Sequence, residues 1–273
     1  MPYDTLNFVT TLVCLGDSFT EGLCDDLRPD GRHLGWADRV AEGLARTHGP
    51  VRFANLSVRG KLIDQVITEQ LPVARAMHPD IVTFHAGPND ILRPRVDARR
   101  VTNAFEASVA GLRSSGSDVV LFTSITRTGG TGRVADRLAA RFDNFNDEVR
   151  RIADAYCCRL VDNAAIPVLS DRRLWAPDRL HPSPEGHRRI AAHVLHILGI
   201  REPAILGGPI GWWAGALPPA SQASTISAVT SDARWIWTHV LPWVGRRVRG
   251  VSSGDGIEPK DPQLRTVEVV VSR

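Results

Sequence analysis

Short apolar runs alternate along the first 200 residues with longer segments whose apolar positions recur every three or four residues. The runs have the length and composition of buried parallel strands, and the longer segments have the period of helices. Strand and helix alternate five times, which predicts a parallel sheet with right-handed crossovers and helices on both faces. The predicted strands cover residues 12–15, 51–56, 80–86, 119–125 and 160–162, and the predicted helices cover 36–45, 62–77, 96–112, 138–155 and 184–198.

The pattern changes near residue 201. Residues 203–224 are rich in Gly, Pro, Ala and Ser, which is typical of a linker or a wrapping segment. An amphipathic helix is predicted from 232 to about 249, kinked at Pro242. We therefore divide the chain into a domain of residues 1–200 and an extension of residues 201–273. Five of the seven tryptophans lie in the extension, so we expect it to pack on the domain rather than to insert into a bilayer.

The first predicted strand runs into Gly16-Asp17-Ser18. Such a strand delivers Ser18 to the carboxyl edge of the sheet, where ligands bind in open α/β folds. A serine at this place either caps the following segment or acts as a nucleophile. The local sequence alone is compatible with both roles.

Four further residues follow Ser18 in blocks near predicted strand ends or before the last helix. Gly60 closes the segment 55–60, Asn89 lies in Gly-Pro-Asn-Asp, and Asp178 precedes His181 by three positions. In this order the blocks resemble the SGNH/GDSL hydrolases over residues 10–200, and the extension is similar to the tails of actinobacterial members. The joint pattern is far more specific than any single block.

The resemblance implies a three-layer α/β/α, flavodoxin-like fold with a five-stranded parallel sheet of order 2-1-3-4-5 and a C-terminal helical extension. The first strand is then central, which places Ser18 at the topological switch point. The family match implies a triad of Ser18, Asp178 and His181. It also implies an oxyanion hole formed by the backbone N–H groups of Ser18 and Gly60 with the side-chain amide of Asn89.

These residue types fit the hydrolysis of an ester, which needs a nucleophile, a base and donors for the oxyanion. A spacing of three residues allows the Asp178 carboxylate to reach the His181 ring within one turn. We therefore predict a serine esterase that forms an acyl-enzyme on a small or medium acyl ester, with no cofactor and no metal. An acyltransferase with the same triad and a non-catalytic lipid- or carbohydrate-binding protein are the alternatives.

Other polar residues favour structural roles. Asp17 is typical of a turn anchor, and His85 is typical of a buried, hydrogen-bonded strand histidine. The last predicted helix carries His187, His193 and His196 without the carboxylate or cysteine set of a metal site.

Composition narrows the class of protein. Hydrophobic residues make up 43% and charged residues 23% of the chain, and the net charge is +3. These values are typical of a globular protein, and no basic cluster interleaved with aromatics suggests nucleic acid as a partner. Neither a secretory signal nor a membrane span is predicted, and the four cysteines are expected to be reduced, so we expect a cytoplasmic protein. The predicted partner is a small-molecule ester, and the sequence leaves the oligomeric state open.

Overall fold

The computed structural model describes residues 11–125, 132–219 and 252–268. The strands are β1 Thr11–Gly16, β2 Val51–Asn55, β3 Ile81–His85, β4 Asp118–Phe122, β5 Arg159–Val161 and β6 Asp261–Val267. The α-helices are α1 Ser18–Glu21, α2 Gly35–His48, α3 Ile63–Gln65, α4 Leu71–Ala76, α5 Pro88–Ile91, α6 Ala98–Ser114, α7 Arg133–Ala155, α8 Pro184–Ile197 and α9 Pro203–Leu206. The connection between β5 and α8 contains three short 3₁₀ turns.

The strands form one sheet of order β5-β4-β3-β1-β2-β6. The first five strands are parallel, so the predicted order 2-1-3-4-5 is confirmed and β1 is central. The sheet has a sixth strand that the sequence interpretation did not include, because β6 pairs antiparallel with β2 at the edge. Its sequence, Asp-Pro-Gln-Leu-Arg-Thr-Val, is mostly polar, as an edge strand permits, and it lacks the apolar run that indicated the other strands.

Each face of the sheet is covered by an apolar layer. One layer lies between the sheet and helices α2 and α8, where the side chain of Leu195 packs against Gly43. The other lies under α6 and α7, where the ring of Phe105 is 4.9 Å from that of Phe84 and 5.8 Å from that of Phe145. The strands are buried on both faces, which accounts for their continuous apolar runs.

The helix predicted over 62–77 is interrupted by a π-helical turn, Val66–Gln70, between α3 and α4. Pro72 lies just after this turn. A proline has no N–H to donate and its ring crowds the carbonyl four residues earlier, which favours a local change in helical register. The turn contains Gln70, whose side chain is used at the end of β1.

Besides the pairing of β6 with β2, the described part of the extension contacts the domain through side chains. Trp213 is buried and stacks on His193, with ring centroids 6.0 Å apart, while Arg189 of α8 donates to the carbonyl of Gly215 at 2.7 Å. Ahead of β6, Lys260 is buried and its ammonium donates to Asp38 of α2 at 2.6 Å. The helix predicted over 232–249 lies outside the described residues. Among the described helices, none is long and apolar enough to cross a membrane.

Candidate active site

The turn after β1 is held by Gln70 from the π-helical turn. The backbone N–H of Gly16 donates to Oε1 of Gln70, and Nε2 of Gln70 donates to the carbonyl of Gly16, both at 2.8 Å. The buried side chain thus satisfies both backbone groups of the last residue of the strand. A Cβ on Gly16 would come within 2.5 Å of the carbonyl oxygen of His85, so only glycine fits this close approach of β1 to β3.

Ser18 is the first residue of α1 and is half-buried. Asp17 caps the helix, because its Oδ1 accepts from the backbone N–H of Phe19 at 3.1 Å, and this confirms its predicted role as a turn anchor. The N–H of a first helical residue has no acceptor within its helix. The N–H of Ser18 therefore needs no acceptor within α1, and its role as an oxyanion donor stays a prediction.

Gly60 lies in a loop that is bonded to α1. Glu21, the last residue of α1, accepts from the backbone N–H of Arg59 at 2.6 Å and from its Nε at 3.0 Å. Gly60 itself has a φ of +74°, a left-handed conformation that favours glycine. The bonds between Glu21 and Arg59 thus hold the loop of Gly60 against the helix that begins at Ser18.

Asn89 lies in α5, just after β3, and both of its described bonds run to the same region. Its Nδ2 donates to Oδ2 of Asp17 at 3.1 Å and to the carbonyl of Lys61 at 3.0 Å. The amide therefore links the nucleophile turn to the loop of Gly60. Its two hydrogens already have acceptors, so an oxyanion would have to share one of them or displace an acceptor.

Asp178 and His181 form a close pair before α8. Nδ1 of His181 lies 2.6 Å from Oδ2 of Asp178, while Oδ1 accepts from the backbone N–H groups of Leu180 and His181 at 2.9 and 3.1 Å. Partial burial alone would raise the pKa of Asp178, but the bond and charge of His181 and the two backbone donors outweigh it and hold that pKa well below its usual range. Asp178 is therefore a carboxylate throughout the neutral range.

The predicted residues fall into two groups. Ser18, Gly60 and Asn89 are joined through Asp17, Glu21 and the loop, and Asp178 and His181 form the other group. Within the described residues, no hydrogen bond joins Ser18 to His181. Catalytic bonds of this kind are often long without substrate and tighten when it binds. The roles of the five residues stay predictions.

Cys24 provides a described contact between the two groups. It follows α1 by three residues, and its Sγ lies 3.7 Å from Oδ2 of Asp178. The donor atoms of Cys24, Asp178 and His181 all lie within 4.8 Å of one another, and all three side chains are half-buried. Among the described residues at the site, these three have donor atoms close enough together to bind one metal ion.

Two further histidines, His187 and His85, are buried and have structural contacts. His187 is fully buried, with Nε2 at 2.9 Å from the carbonyl of Leu23 and Nδ1 accepting from the N–H of Trp36 at 3.3 Å. His85 is buried as predicted, but the predicted hydrogen bond is not formed at Nδ1, which lies 3.6 Å from Oδ1 of Asp17 and lacks a hydrogen-bond partner. The ring of His85 instead lies 4.5 Å from that of Phe19, so His85 borders α1.

The extension reaches the site at Gly60. The hydroxyl of Ser252 lies 3.4 Å from the carbonyl oxygen of Gly60, and a Cβ on Gly60 would come within 2.5 Å of that hydroxyl. Gly254 packs directly on the carbonyl of Arg59. The turn of residues 252–256 therefore packs on the loop of Gly60, and the two chain segments are about 190 positions apart in sequence.

Sequence reasoning missed Gln70, Glu21, Arg59, Cys24 and the turn of residues 252–256. No periodicity or motif identifies them, because each acts through a contact with a residue distant in the chain. Glu21 and Arg59 offered only a weak signal. Glu21 follows Ser18 by three positions, Arg59 directly precedes Gly60, and the two side chains have opposite charges.

Comparison with known proteins agrees with this architecture. The GDSL-like lipase/acylhydrolase family matches residues 14–189. An acetylxylan esterase, Axe2 of Geobacillus stearothermophilus, is similar in structure with a TM-score of 0.60 at 22% identity over 72% of this chain and 97% of that one. The hydrolase LAE5 from the metagenome of Lake Arreo has a TM-score of 0.59 at 21% identity, over 73% of this chain and 98% of its own. TesA has a TM-score of 0.55 at 21% identity, over 69% and 98%. No curated protein matches the chain.

The three layers, a largely parallel sheet with helices on both faces, define a protein of the α/β class. The chain belongs to the GDSL-like lipase/acylhydrolase family. It is thus a carboxylic ester hydrolase, and the predicted family, fold and enzyme class are confirmed.

Proposed function

We propose that the protein is a serine esterase in which Ser18 is acylated, His181 transfers the proton and Asp178 orients His181. The observation that carries the proposal is the 2.6 Å contact between Nδ1 of His181 and Oδ2 of Asp178. An ionised Asp178 accepts a hydrogen bond and donates none, so Nδ1 carries the proton of the neutral ring. The lone pair of Nε2 is then left to accept the proton of Ser18.

The proposed reaction has two stages, acylation of Ser18 and hydrolysis of the acyl-enzyme. Ser18 Oγ attacks the ester carbonyl as Nε2 of His181 takes its proton, and the imidazolium is stabilised by the Asp178 carboxylate. The same Nε2–H protonates the leaving alcohol. Water then attacks the acyl-enzyme with His181 again as base, which releases the acid and regenerates Ser18.

The oxyanion would be bound by the N–H groups of Ser18 and Gly60 and by the Asn89 amide. This assignment is supported by the bonds that join α1, the Gly60 loop and Asn89 into one unit. Such donors are fixed before reaction, so they need little rearrangement as charge develops. Each typically contributes about 3 kcal/mol to the transition state.

The proposed substrate is an ester with a small or medium acyl group. Support comes from the similarity to acetylxylan esterases and from the turn of residues 252–256, which limits the space beside Gly60.

A cytoplasmic location and packing of the whole extension on the domain are parts of the same proposal. The free thiols of Cys14, Cys24, Cys157 and Cys158 are compatible with a reducing compartment.

Labelling with an organophosphonate probe tests the nucleophile. We expect one adduct by intact mass, mapped to Ser18, and none in Ser18→Ala. Labelling at another serine, with none at Ser18, would contradict the assignment.

A series of p-nitrophenyl esters from acetate to palmitate measures which acyl chain length the protein prefers. Addition of alcohols to the same assay measures transfer in competition with hydrolysis.

A further inference from the structure

Cys24 is a nucleophilic side chain, among the described residues at the site, that the proposed mechanism does not use. It has a φ of +69°, in the left-handed region that few residues other than glycine and asparagine adopt. This conformation is found where the chain turns back from α1, and it places Sγ 3.7 Å from Oδ2 of Asp178. A thiol is thus held beside the carboxylate that orients His181.

Two simpler roles for this thiol are weak. As a hydrogen-bond donor, a thiol contributes little beside the imidazole and the two backbone N–H groups that Asp178 already accepts. As a nucleophile it is poorly suited, because burial and the negative charge of Asp178 raise the pKa of Cys24 to about 12. Burial and the charge of Asp178 disfavour the thiolate of Cys24. A cation that replaces the thiol proton removes both effects, since it neutralises the carboxylate and the thiolate together.

We propose that Cys24 Sγ, a carboxylate oxygen of Asp178 and Nδ1 of His181 form a binding site for a thiophilic divalent cation of the Zn²⁺ type, and that its occupation inhibits the enzyme. The inhibitory effect rests on the proposed function, whereas cation binding does not. All three donor types are those that Zn²⁺ prefers, and a site with three protein ligands takes water as its fourth ligand.

The distances fit a tetrahedral ion. Bond lengths of about 2.0 to 2.3 Å place two ligand atoms about 3.3 to 3.6 Å apart around such an ion. The separation of Sγ and Oδ2 is already 3.7 Å, and all three donors lie within 4.8 Å of one another. The separation of Nδ1 and Oδ2, 2.6 Å, must increase by less than about 1 Å once the cation replaces the shared proton. Small rotations of side chains are sufficient.

The inhibition follows from the position of one proton. When the cation binds, the thiol proton is released to solvent and the proton of Nδ1 is transferred to Nε2, so the ring stays neutral. Nε2 then carries N–H and has no lone pair to accept the proton of Ser18. Thiolate and carboxylate together balance the two charges of the cation. No bond to substrate is needed, and removal of the cation restores the original tautomer.

Titration of the full-length protein with Zn²⁺ tests the proposal, with each rate divided by the metal-free rate of the same variant. We expect Cys24→Ser to need at least about 10-fold more Zn²⁺ for half-inhibition, because a hydroxyl is a poor zinc ligand. Cys157→Ser is the matched control, since Cys157 is an exposed thiol outside the site. It should keep the sensitivity of the wild type. Equal sensitivity of Cys24→Ser and wild type would overturn the proposal.

Cobalt binding gives a readout that does not depend on catalysis. Co²⁺ added to the protein should produce a thiolate charge-transfer band that Cys24→Ser and Cys24→Ala lack and that Cys157→Ser and Ser18→Ala retain. Thermal melts identify any variant that does not fold, and the second substitution at position 24 replaces it. A band that persists in both Cys24 variants would overturn the site. An inactive protein that still shows the band would instead count against the proposed esterase.

Discussion

The carboxylate of Glu21 accepts hydrogen bonds from both the backbone N–H and the guanidinium of Arg59, at 2.6 and 3.0 Å. Glu21 ends the short helix that Ser18 begins, and Arg59 directly precedes Gly60. One side chain thus sets the distance between the proposed nucleophile and one proposed oxyanion donor. Glu21 is buried, so its bonds to Arg59 are less screened by solvent than a surface pair would be.

We expect Glu21→Gln to lower kcat by about 10-fold or more with a smaller change in KM, because misplacement of a group by about 1 Å can cost about 100-fold in rate. The neutral amide has the same shape but loses the charge that holds Arg59. Steady-state kinetics on a short acyl ester measure the effect. Glu69→Gln is the control, since Glu69 is an exposed carboxylate that forms an ion pair with Lys61 of the same loop. Equal effects of the two substitutions would show that Glu21 does not position the loop.

The contact between the extension and the Gly60 loop gives a second prediction. A Cβ at residue 254 would meet the carbonyl of Arg59, so Gly254→Ala must displace either the turn or the loop. We expect a lower kcat and a changed order of preference in the acyl-chain series. Gly256→Ala tests strain in the same turn without the contact, because Gly256 has a φ of +73° and a Cβ there would meet no heavy atom within 4 Å. It should affect the melting temperature more than the chain-length profile. An unchanged profile in Gly254→Ala would remove this turn from the site.

Asn89 allows a direct test of the oxyanion assignment. We expect Asn89→Ala to lower kcat by about 10² to 10³ with a much smaller change in KM, because the bond matters chiefly in the transition state. Asn89→Asp should be at least as inactive, since its carboxylate would repel the oxyanion and would also face Oδ2 of Asp17, to which Nδ2 now donates at 3.1 Å. Thermal melts separate loss of stability from loss of turnover. Near-normal kcat of the folded alanine variant would exclude Asn89 from the mechanism.

The fold and the places of the proposed catalytic residues could be predicted from the sequence because they lie where regular patterns end. Ser18 and Asn89 each follow an apolar strand, and the resemblance to the SGNH/GDSL hydrolases supplied their expected roles. The three-residue spacing of Asp178 and His181 allowed the contact that the structure contains. By contrast, β6 is a polar edge strand and carries no apolar signature. The contacts of Gln70 with Gly16 and of Ser252 with Gly60 join residues 54 and 192 positions apart, and such pairs leave no periodic trace in a single sequence.

The stability of the fold in acid depends on His187, which is fully buried. Nε2–H of this buried ring donates to the carbonyl of Leu23, and Nδ1 accepts from the N–H of Trp36, so the neutral tautomer satisfies both partners. Protonation of Nδ1 would place two donors against each other in a site without solvent. Burial accordingly lowers the pKa of His187 to about 4, and burial also lowers that of His193 to about 4.

In the unfolded chain a histidine has a pKa near 6.5, so between about pH 6.5 and pH 4 the unfolded state binds a proton that the folded state does not. The stability due to neutral His187 is therefore fully present above pH 6.5 and falls as the pH decreases towards 4, by about 3 kcal/mol at most. Urea unfolding at pH 7, 6, 5 and 4.5 measures this slope. His187→Gln should be less stable at pH 7 and show a shallower slope, whereas His78→Gln, which changes an exposed ring, should keep the slope of the wild type. Parallel slopes for wild type and His187→Gln would mean that other groups, His193 first among them, account for the loss of stability in acid.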